Sequence, residues 1–477
     1  MNANAAKQIA ALCWVNPFSP ARSALEQTIL GDQFQAVTQI GGTRQLSPNT
    51  PAVVRLCQEI VRDHPDAPEY PELVAFILYH ELYDQLDELI DHPKRARQVW
   101  QNFQSLWDHY FAGGRVRPRD FDQPTLYAFF YQICRAFHWI FRYVIGSGSE
   151  AVQLRARMWE SIFSADLKRY VAGFHREMND VHTLITGPSG SGKGVVARAI
   201  GMSRFIPFDP RTGRFVTDPE SSFLSVNVAA LPEQLLESEL FGHVKGSFTG
   251  AIQDRAGLFE SAGAHGALFL DEIGEAPTSA QVKLLTVLQD RRFQRIGETS
   301  SRLAQGRVIT ATNRDLESAV AGGHFRQDLY FRLSADRLEM VPLRNLLQGR
   351  IESLRPMVRF ITEKLLQESW SAEVVDDALQ FIDERLGADY AWPGNFRELE
   401  QCLRNFLIHR DYRPIQLTPK PTDALEQALA NLDLSAEALL QRYAGALYRR
   451  LGNYKAVGDV LGVDQRTAKK YIKGGNA

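Results

Sequence analysis

A glycine-rich segment, GPSGSGKG, follows the short apolar run HTLIT and precedes the helical pattern VVARAIG. Its glycines and lysine have the spacing of a P-loop, in which backbone N–H groups turn inward around phosphate oxygens. The N-terminus of the following helix and the lysine add positive charge at the same place. A tight turn is the alternative, but the strand, loop and helix context favours a nucleotide site. The predicted binding residues are Gly187, Pro188, Ser189, Gly190, Ser191, Gly192, Lys193 and Gly194.

Two adjacent carboxylates end a second apolar run, ALFLDE. Asp271 is placed to hold Mg²⁺, directly or through water, and Glu272 to activate a water that attacks the γ-phosphate of ATP. A third run ends in ATN, where Asn313 could contact the γ-phosphate or that water. A solvated acidic strand end is disfavoured, because the apolar run would bury the strand and aim its end at the P-loop. Gly194 stands where a P-loop usually has a magnesium-binding Ser or Thr, so that ligand is missing.

The pattern of secondary structure changes along the chain. Residues 1–165 have apolar residues at helical spacing, as in PELVAFILYHELYDQLDELIDH and YAFFYQICRAFHWIFRYVIG. From 166 to 410, β-branched runs such as FLSVNV and RVITATN alternate with helical patterns, which indicates a parallel sheet with crossover helices. A proline-rich segment at 411–423 predicts a linker, and the rest of the chain is helical again.

Composition excludes several classes of protein. The chain has 477 residues, 44% of them hydrophobic, and a net charge of −2, so any nucleic-acid binding must come from a local basic patch. Its four cysteines form no CxxC pair, which disfavours a zinc site or a disulfide framework and fits a reducing cytosol. The most apolar long stretch contains Arg135, His138 and Arg142, so it predicts a buried helix and not a membrane span. Without a signal-peptide pattern, we expect a cytoplasmic protein with no membrane partner.

The segment LFGHVKGSFTGA fits neither a helix nor a strand period. Gly246 and Gly250 would allow a tight, mobile tip with Phe248 and Thr249 at its apex. A poorly packed connection is the alternative interpretation, and the segment alone does not decide between them.

Several spaced blocks resemble the AAA+ ATPase module of bacterial enhancer-binding proteins, which activate sigma-54 RNA polymerase. The resemblance covers roughly 160 to 410 and rests on four blocks, SVNVAALPEQLLESELFGHVKGSFTGAIQDRAGLFESA, ALFLDEIGEAPTSAQVKLLTVLQDRRFQRIG, GHFRQDLYFRL and WPGNFREL. It implies an α/β AAA+ core with a helical lid, ATP and Mg²⁺ as cofactors, and a hexameric ring. In this family the tip, usually GAFTGA, touches the sigma factor. The implied contact residues are Gly246, Ser247, Phe248, Thr249, Gly250 and Ala251.

The resemblance also implies roles for residues whose spacing alone is uninformative. Arg326 and Arg332 resemble arginine fingers that reach the nucleotide of a neighbouring subunit, although ordinary helix-surface cations are the alternative. Arg397 resembles the sensor II arginine of the lid, and Asn227 resembles the asparagine that holds the Walker B glutamate, Glu272. The chain departs from the family pattern at 204–222, an insertion that we expect to be a surface loop or hairpin.

The C-terminal segment YRRLGNYKAVGDVLGVDQRTAKKYIKGG resembles a Fis-type helix-turn-helix. We expect Gly458 where two helices cross, Asp464 as the cap of the second helix, and a core supplied by Val460, Leu461 and Val463. A basic terminal helix is by itself usually a solvated face, but this pattern favours binding of double-stranded DNA at an upstream enhancer site. The predicted contact residues are Gln465, Arg466, Thr467, Lys469, Lys470 and Lys473.

The predicted organisation has four domains or subdomains and one linker. These are an all-α regulatory domain at 1–165, an α/β ATPase subdomain at 166–340, a helical lid at 341–410, the linker at 411–423 and a helix-turn-helix domain at 424–477. The N-terminal domain has no phosphoacceptor cluster and no sensor-like strand pattern, so its control of the ATPase is inferred from position alone. Its aromatic residues are interpreted as core more readily than as a ligand-binding site.

Two other functions are considered. An AAA+ remodeller could use the helix-turn-helix only for docking and act on a partner other than sigma-54, which the intact Phe248–Thr249 pair disfavours. A DNA-binding regulator could sense nucleotide without hydrolysing it, which the intact Asp271–Glu272 pair and both finger arginines disfavour. The favoured function is an ATP-hydrolysing activator that remodels the closed complex of sigma-54 RNA polymerase into the open complex.

Overall fold

The computed structural model describes residues 3–36, 47–113, 115–146, 148–347, 350–367, 370–414 and 435–474. The chain divides into two compact units, Met1–Tyr412 and Arg413–Ala477. Most of the predicted linker, from residue 415 onward, lies outside the described residues.

Helices form the first part of the larger unit. Four of these helices, α2, α3, α4 and α6, have proline in the first turn, where its missing N–H has no partner to lose. Asp122 caps α6 by accepting from Thr125 N at 2.8 Å. Among the described residues, no helix is long and apolar enough to cross a membrane. The helices are α1 (Ala3–Cys13), α2 (Pro20–Leu30), α3 (Thr50–Asp63), α4 (Tyr70–Asp91), α5 (Ala96–Tyr110), α6 (Gln123–Tyr143), α7 (Ser149–Phe163) and α8 (Leu167–Ala172).

A parallel sheet follows, as the alternating pattern predicted. Its strand order is β4-β7-β10-β1-β11, and every pairing is parallel, so all the carboxyl ends lie at one edge. The remaining strands form three two-stranded hairpins. The strands are β1 (Thr183–Thr186), β2 (Phe208–Asp209), β3 (Arg214–Phe215), β4 (Phe223–Asn227), β5 (Gly242–His243), β6 (Arg255–Ala256), β7 (Ala267–Asp271), β8 (Arg292–Phe293), β9 (Arg302–Leu303), β10 (Arg307–Thr312) and β11 (Asp336–Glu339).

Crossover helices and a helical lid complete the larger unit. The predicted fold class, an α/β AAA+ core with helical segments before and after it, is confirmed. The helices that surround the sheet are α9 (Lys193–Met202), α10 (Glu233–Phe241), α11 (Leu258–Ser261), α12 (Thr278–Asp290), α13 (Leu316–Ala321) and α14 (Gln327–Leu333). The lid consists of α15 (Leu343–Leu347), α16 (Arg355–Leu366), α17 (Ala372–Leu386) and α18 (Asn395–His409).

The N-terminal helices share a hydrophobic core with the sheet. One cluster of buried side chains runs from α1 through α6 to Ile200 of α9 and to Ile185 and Ile309 of the central strands. A second cluster covers the opposite face of the sheet, and a third lies inside the lid. The predicted boundary at 165/166 stays a prediction, and a chain cut there would expose one face of the sheet to water.

The insertion at 204–222 contains a small hairpin that connects the sheet region with the N-terminal helices. Strands β2 and β3 pair Phe208 with Phe215. The Phe208 ring lies 5.0 Å from Trp100 and 4.8 Å from Tyr127, and the Phe215 ring lies 4.4 Å from Tyr131. The hairpin therefore packs its aromatic residues onto α5 and α6 and is partly buried there, whereas we had expected a surface element.

The smaller unit contains three helices among its described residues, α19 (Ala436–Leu451), α20 (Tyr454–Leu461) and α21 (Gln465–Gly474). Its buried core is Ala444, Val457, Ala468 and Ile472, with Leu461 and Val463 partly buried against it. The prediction that Val460 belongs to the core was wrong, because its position on α20 leaves the side chain 54% exposed. A Cβ on Gly458 would lie 2.7 Å from Val463 O, so the predicted close approach at this glycine is observed.

Candidate nucleotide site and its flanking surfaces

The P-loop connects β1 to α9, and its glycines allow a conformation that other residues rarely adopt. Gly190 has a φ of 74°, and a Cβ there would lie 2.3 Å from Gly394 O. Lys193 begins α9 and donates from Nζ to Gly187 O at 3.0 Å and to Pro188 O at 3.2 Å. Burial lowers the pKa of Lys193, and the nearby carboxylates of Glu272 and Asp271 oppose that shift. The lysine is therefore held inside the loop by two carbonyl oxygens.

The predicted carboxylates meet at the carboxyl edge of the sheet. Asp271 ends β7, and Glu272 follows it in a left-handed conformation with a φ of 55°. Asp271 Oδ1 accepts from Glu272 N at 3.0 Å, and Glu272 Oε2 accepts from Asn313 N at 3.3 Å. The structure thus brings Asp271, Glu272 and Asn313 together next to the lysine, whose pKa both carboxylates raise.

Asn227 lies beside this group but makes a different contact from the one expected. It pairs with Asp271 in the register of β4 and β7. Its Oδ1 accepts from Ala229 N at 2.9 Å and caps the turn after β4, while the Glu272 carboxylate contacts Asn313. The side-chain oxygen of Asn227 is therefore occupied by Ala229 N in this structure. The role of Asn227 in holding Glu272 stays a prediction.

The donor set fits a magnesium ion that is held mainly by phosphate. Within the described ranges, no cluster of three or more His, Cys, Asp or Glu side chains could hold a metal alone. Mg²⁺ bound with nucleotide needs only one or two protein carboxylates, and Asp271 provides one. A Cβ on Gly194 would lie 3.6 Å from the Phe269 ring, which is ordinary contact, so space for a hydroxyl residue exists although the chain has none there.

The lid contacts the P-loop directly. Arg397 Nη1 donates to Ser189 Oγ at 3.2 Å, which places the predicted sensor II arginine against the loop. Asn395 makes a closer connection, donating from Nδ2 to Ser189 O at 2.9 Å and accepting at Oδ1 from Leu343 N at 2.8 Å. Phe396 N adds a bond to Gly190 O at 3.1 Å. Asn395 lies within the quoted block WPGNFREL, but the sequence interpretation assigned it no role.

A cavity of about 190 Å³ opens beside Gly192, lined mostly by apolar side chains. Val195, Met340 and Phe396 contribute from the core and the lid. The segment 143–145, at the end of α6, contributes from the N-terminal region. Its position next to the phosphate loop and its apolar lining make it a candidate site for a nucleotide base. Sequence reasoning missed it because no pattern in the sequence places the segment 143–145 beside the P-loop and Phe396.

The two predicted arginine fingers make contacts within their own chain. Arg326 occupies the N-cap position of α14 without a side-chain capping bond and pairs with Asp328 at 2.7 Å, and both side chains are half-exposed. Arg332 Nε donates to Leu288 O at 2.9 Å. The Arg326–Asp328 ion pair is solvent-exposed, so its release would cost little free energy, and the role of both arginines as fingers stays a prediction.

The segment GSFTGA forms a compact turn at the end of the β5 hairpin strand. Gly246 N donates to Ala251 O at 2.9 Å, and Ala251 N donates to Phe248 O at 3.0 Å. Thr249 is exposed, whereas Phe248 is half-buried with its ring 5.0 Å from the ring of His243. Thr249 is therefore at the surface of the turn, whereas Phe248, which was expected beside it at the apex, packs back onto the domain. The Ser247 hydroxyl is buried and has no hydrogen-bond partner among the described residues.

The smaller unit exposes the basic side of α21. Asp464 caps this helix by accepting from Arg466 N at 2.8 Å and Thr467 N at 3.1 Å. The Thr467 hydroxyl also donates to Asp464, at 2.6 Å, so it is occupied by the cap. The other predicted DNA-contacting side chains are all exposed, namely Gln465, Arg466, Lys469, Lys470 and Lys473.

The parallel sheet, the P-loop with its paired carboxylates and the docked helical lid define a protein of the AAA+ class. Residues 164–339 match the family model of the sigma-54 interaction domain. The chain is 39% identical over 288 residues to the sigma54-dependent transcriptional regulator SfnR of Pseudomonas fluorescens (strain Pf0-1), which covers 57% of this chain and 72% of that relative. The chain belongs to this family of sigma-54-dependent transcriptional regulators.

Other relatives match a smaller share of their length. The chain is 43% identical over 230 residues to the Nif-specific regulatory protein of Klebsiella pneumoniae, a match of 48% of this chain and 40% of that protein. The chain thus spans about a third to two fifths of the Nif-specific regulatory proteins it matches. Among solved structures, NtrX from Brucella abortus aligns with 80% of each chain at 24% identity and a TM-score of 0.42.

Proposed function

We propose that this chain is an ATP-hydrolysing, DNA-bound transcriptional activator that remodels the closed complex of sigma-54 RNA polymerase into the open complex. The observation that carries this proposal is the GSFTGA turn, which exposes Thr249 on the same domain that holds the P-loop and its carboxylates. An activator of this kind acts on the chromosome, so we place it in the cytoplasm.

In the proposed mechanism, residues of the P-loop hold ATP. Lys193 Nζ exchanges the carbonyl oxygens of Gly187 and Pro188 for phosphate oxygens, which are stronger partners for an ammonium group. Mg²⁺, when bound at Asp271, supplies positive charge to the β- and γ-phosphates. The apolar cavity beside Gly192 takes the adenine base. Arg397 of the lid helix α18, already in contact with Ser189, binds the nucleotide and so couples its presence to the position of the lid.

Hydrolysis depends on the residues at the carboxyl edge of the sheet. Glu272 accepts a proton from the attacking water, and Asn313, whose backbone N–H holds that carboxylate, orients the water or the γ-phosphate. Arg326 and Arg332 act on the nucleotide of the next subunit and stabilise charge at its γ-phosphate. Fingers that act between subunits require a closed ring, so we propose a homohexamer.

In this mechanism ATP hydrolysis moves the GSFTGA turn, and the turn contacts the sigma factor. Gly246 and Gly250 have φ values of 80° and 103°, and no atom lies within 4 Å of a Cβ built on either residue. The glycines are therefore required by conformation and not by crowding, as expected for a turn that moves. Release of Phe248 from His243 would add an aromatic ring to the exposed Thr249 as contact surface.

The smaller unit supplies the DNA contact. Gln465 and Arg466, at the start of α21, are placed to reach base edges in a major groove, and the exposed lysines are placed to contact phosphates. Thr467 is the least available of the predicted residues because its hydroxyl caps the helix. Upstream double-stranded DNA is the proposed ligand, and it would hold the ring near the promoter.

The test is open-complex formation on a sigma-54 promoter by purified protein with ATP. Glu272→Gln should leave nucleotide binding intact and slow hydrolysis by about a hundredfold or more, because the amide still accepts from Asn313 but is no base. Thr249→Ala should hydrolyse ATP normally and fail to open the promoter. Ser247→Ala is the matched control. Ser247 belongs to the implied contact segment, but its hydroxyl is buried and unpartnered, so its removal should leave promoter opening normal.

Vigorous ATP hydrolysis by the wild type without any opening of sigma-54 promoters would refute the proposed partner and favour a remodeller of another target. Absence of hydrolysis at every protein concentration would refute the enzymatic part. Promoter opening by Thr249→Ala at the wild-type rate would remove the assigned role of the turn.

A further inference from the structure

A cavity of about 460 Å³ lies at the edge of the sheet opposite the P-loop. His265 lies two residues before β7, and Arg204 lies two residues after the end of α9, which places both at the amino ends of the strands. The other lining segments are the start of α6 and the 3-10 helix Phe174–Asn179. The cavity is therefore separate from the nucleotide site.

Four basic side chains from three segments line this cavity. They are His175 and Arg176 of the 3-10 helix, Arg204 of the insertion and His265 of the loop before β7. Arg204 is 8% exposed, and its guanidinium donates to Gly266 O and to Asn179 Oδ1. Burial and the neighbouring Arg307 lower the pKa of Arg204 to about 9. The hydrogen-bond partners of Arg204 among the described residues are thus neutral, and a nearby anion would compensate its buried charge.

The two histidines are affected by the same excess of positive charge. Burial lowers the pKa of His265, and the charges of Arg204 and His175 lower it further. Burial also lowers the pKa of His175, with a smaller contribution from Arg176, while a backbone hydrogen bond and the Asp122 carboxylate oppose this shift. Like charges at close range are unfavourable unless an opposite charge lies near them. An anion bound in the cavity would therefore be stabilised, and it would raise the pKa of both histidines.

Arg176 and His265 have donors that are available to a ligand. In the part of the chain that the structure describes, neither side chain makes a hydrogen bond or an ion pair. Asp122 is the one carboxylate among the described lining residues, and its Oδ1 already accepts from Thr125 N at 2.8 Å as the cap of α6. Two arginines therefore face a single carboxylate, which leaves the cavity with an excess of positive charge.

The cavity also offers an apolar wall and more room than a simple anion needs. Phe205, Pro207 and Phe208 form this wall, and the centre of the Phe205 ring lies 4.1 Å from that of the His175 ring. An engineered apolar cavity of about 150 Å³ accepts benzene, so this larger volume holds an aromatic ring together with an anionic group. Basic donors beside an apolar wall suit a ligand with one charged end and one flat apolar end.

We propose that this cavity binds an organic phosphate, namely a phosphate monoester whose organic part is a flat ring. Such a monoester carries a charge of about −1.5 to −2 at pH 7 and three acceptor oxygens, which suits donors from several segments better than a carboxylate does. Arg176 and His265 donate to the phosphate oxygens, and the buried Arg204 adds positive charge. The ring of the ligand packs against Phe205 and Pro207. This binding is independent of the proposed ATPase function, because none of these residues belongs to the nucleotide site.

Binding is tested on the full chain without ATP, by isothermal titration calorimetry with phenyl phosphate. The comparison ligands are phenol, which lacks the phosphate, inorganic phosphate, which lacks the ring, and benzoate, which has a carboxylate in place of the phosphate. We expect saturable binding of phenyl phosphate at one site per chain and at least tenfold weaker binding of each comparison ligand. Lys193→Ala should bind phenyl phosphate as tightly as the wild type does, because the P-loop is not the proposed site.

Two substitutions and a matched control locate the site. Arg176→Gln removes a charge-assisted donor and should weaken the binding of phenyl phosphate at least tenfold, and His265→Gln should weaken it at least threefold. Neither side chain has a hydrogen bond to lose within the described ranges, so both variants should fold, which thermal unfolding checks. Arg211→Gln is the matched control, since it removes an equal charge from an exposed position on the insertion that does not line the cavity, and it should leave the affinity unchanged.

Absence of saturable binding by phenyl phosphate would overturn the proposed site. Equal binding of benzoate would overturn the preference for phosphate, and equal binding of phenol or of inorganic phosphate would overturn the need for both ends of the ligand. Unchanged affinity in both Arg176→Gln and His265→Gln, or loss of binding in Lys193→Ala, would place the ligand elsewhere and refute the assignment. An equal loss in Arg211→Gln would show that binding responds only to overall charge. Because calorimetry needs no hydrolysis, failure of this site and failure of the proposed ATPase are observed separately.

Discussion

Asn395 connects the lid to the P-loop, and its replacement by alanine should uncouple them. Its side chain bridges Leu343 N, at the start of the lid, and Ser189 O, in the P-loop. The residue is 2% exposed and has a φ of 53°, a conformation that asparagine tolerates better than alanine. The substitution Asn395→Ala therefore removes two buried hydrogen bonds and adds backbone strain.

The size of the effect follows from these three contributions. Each lost hydrogen bond costs about 1 kcal/mol net, and a left-handed alanine costs about 1 kcal/mol more. The bond to Ser189 O crosses from the lid to the P-loop, and its loss alone corresponds to about a fivefold fall in the docked population. The bond to Leu343 N and the strain lie within the lid, so the sum of about 3 kcal/mol, about a hundredfold, is the upper limit, reached when undocking releases all three contributions. Because the base cavity is formed partly by Phe396 of the lid, nucleotide affinity should fall with the docked population.

The assay is titration with a fluorescent ATP analogue, together with the rate of ATP hydrolysis. Asn395→Gly is the matched control, since glycine accepts the positive φ and lacks the amide, so it should recover about tenfold of the loss. Asn395→Asp keeps an acceptor for Leu343 N and loses the donor to Ser189 O, and its affinity should also fall between wild type and alanine.

Affinities within twofold of wild type for both the alanine and glycine variants would refute the role of this side chain in docking. A loss in alanine that glycine restores completely would show that backbone strain is the whole effect. Thermal unfolding of each variant is measured in parallel, so that general destabilisation is recognised.

Three further predictions concern the ring, the magnesium site and the inserted hairpin. Arg326→Ala should slow ATP hydrolysis by the assembled protein about a thousandfold and leave nucleotide affinity unchanged; a matching loss of affinity would contradict a role in the neighbouring subunit. Gly194→Ser should lower the Mg²⁺ concentration needed for half-maximal hydrolysis severalfold, since the added Cβ fits against Phe269, and an unchanged requirement would contradict this. Phe208→Ala should lower the free energy of unfolding by about 3 kcal/mol in urea denaturation, whereas the exposed Val216→Ala on the same insertion should change it by less than about 0.5 kcal/mol; equal effects would show that the hairpin does not clamp the helices.

Local patterns predicted the elements of the fold with small errors at their ends. The runs HTLIT and ALFLDE became β1 and β7, and the spacing of glycines and lysine located the loop between β1 and α9. The cap at Asp464 was also predicted, because capping involves residues only two or three positions apart. The error at Val460 arose from long-range packing. The short helix α20 has apolar residues on two faces, and only contact with the neighbouring helices decides which face is buried.

Contacts between distant segments were beyond the reach of these patterns. Arg135 was interpreted from the sequence only as a charge that excludes a membrane span, and the structure uses it to cap a helix 67 residues further along the chain. The insertion at 204–222 was expected at the surface, and its aromatic residues are packed on α5 and α6. Neither outcome leaves a periodic signal, because each depends on which surfaces the folded chain brings together.

The sequence by itself determined the class of chemistry, because a P-loop, a strand that ends in two carboxylates and the GSFTGA segment are each defined within a dozen residues. Only the tertiary structure decided that the N-terminal helices share their core with the sheet, that Asn395 joins the lid to the P-loop, and that basic side chains from three segments line one cavity at the amino edge of the sheet. The physical reason is the same in each case. Burial and hydrogen bonding between remote segments are selected by the complementarity of whole surfaces, whereas short-range spacing is selected by the geometry of one element.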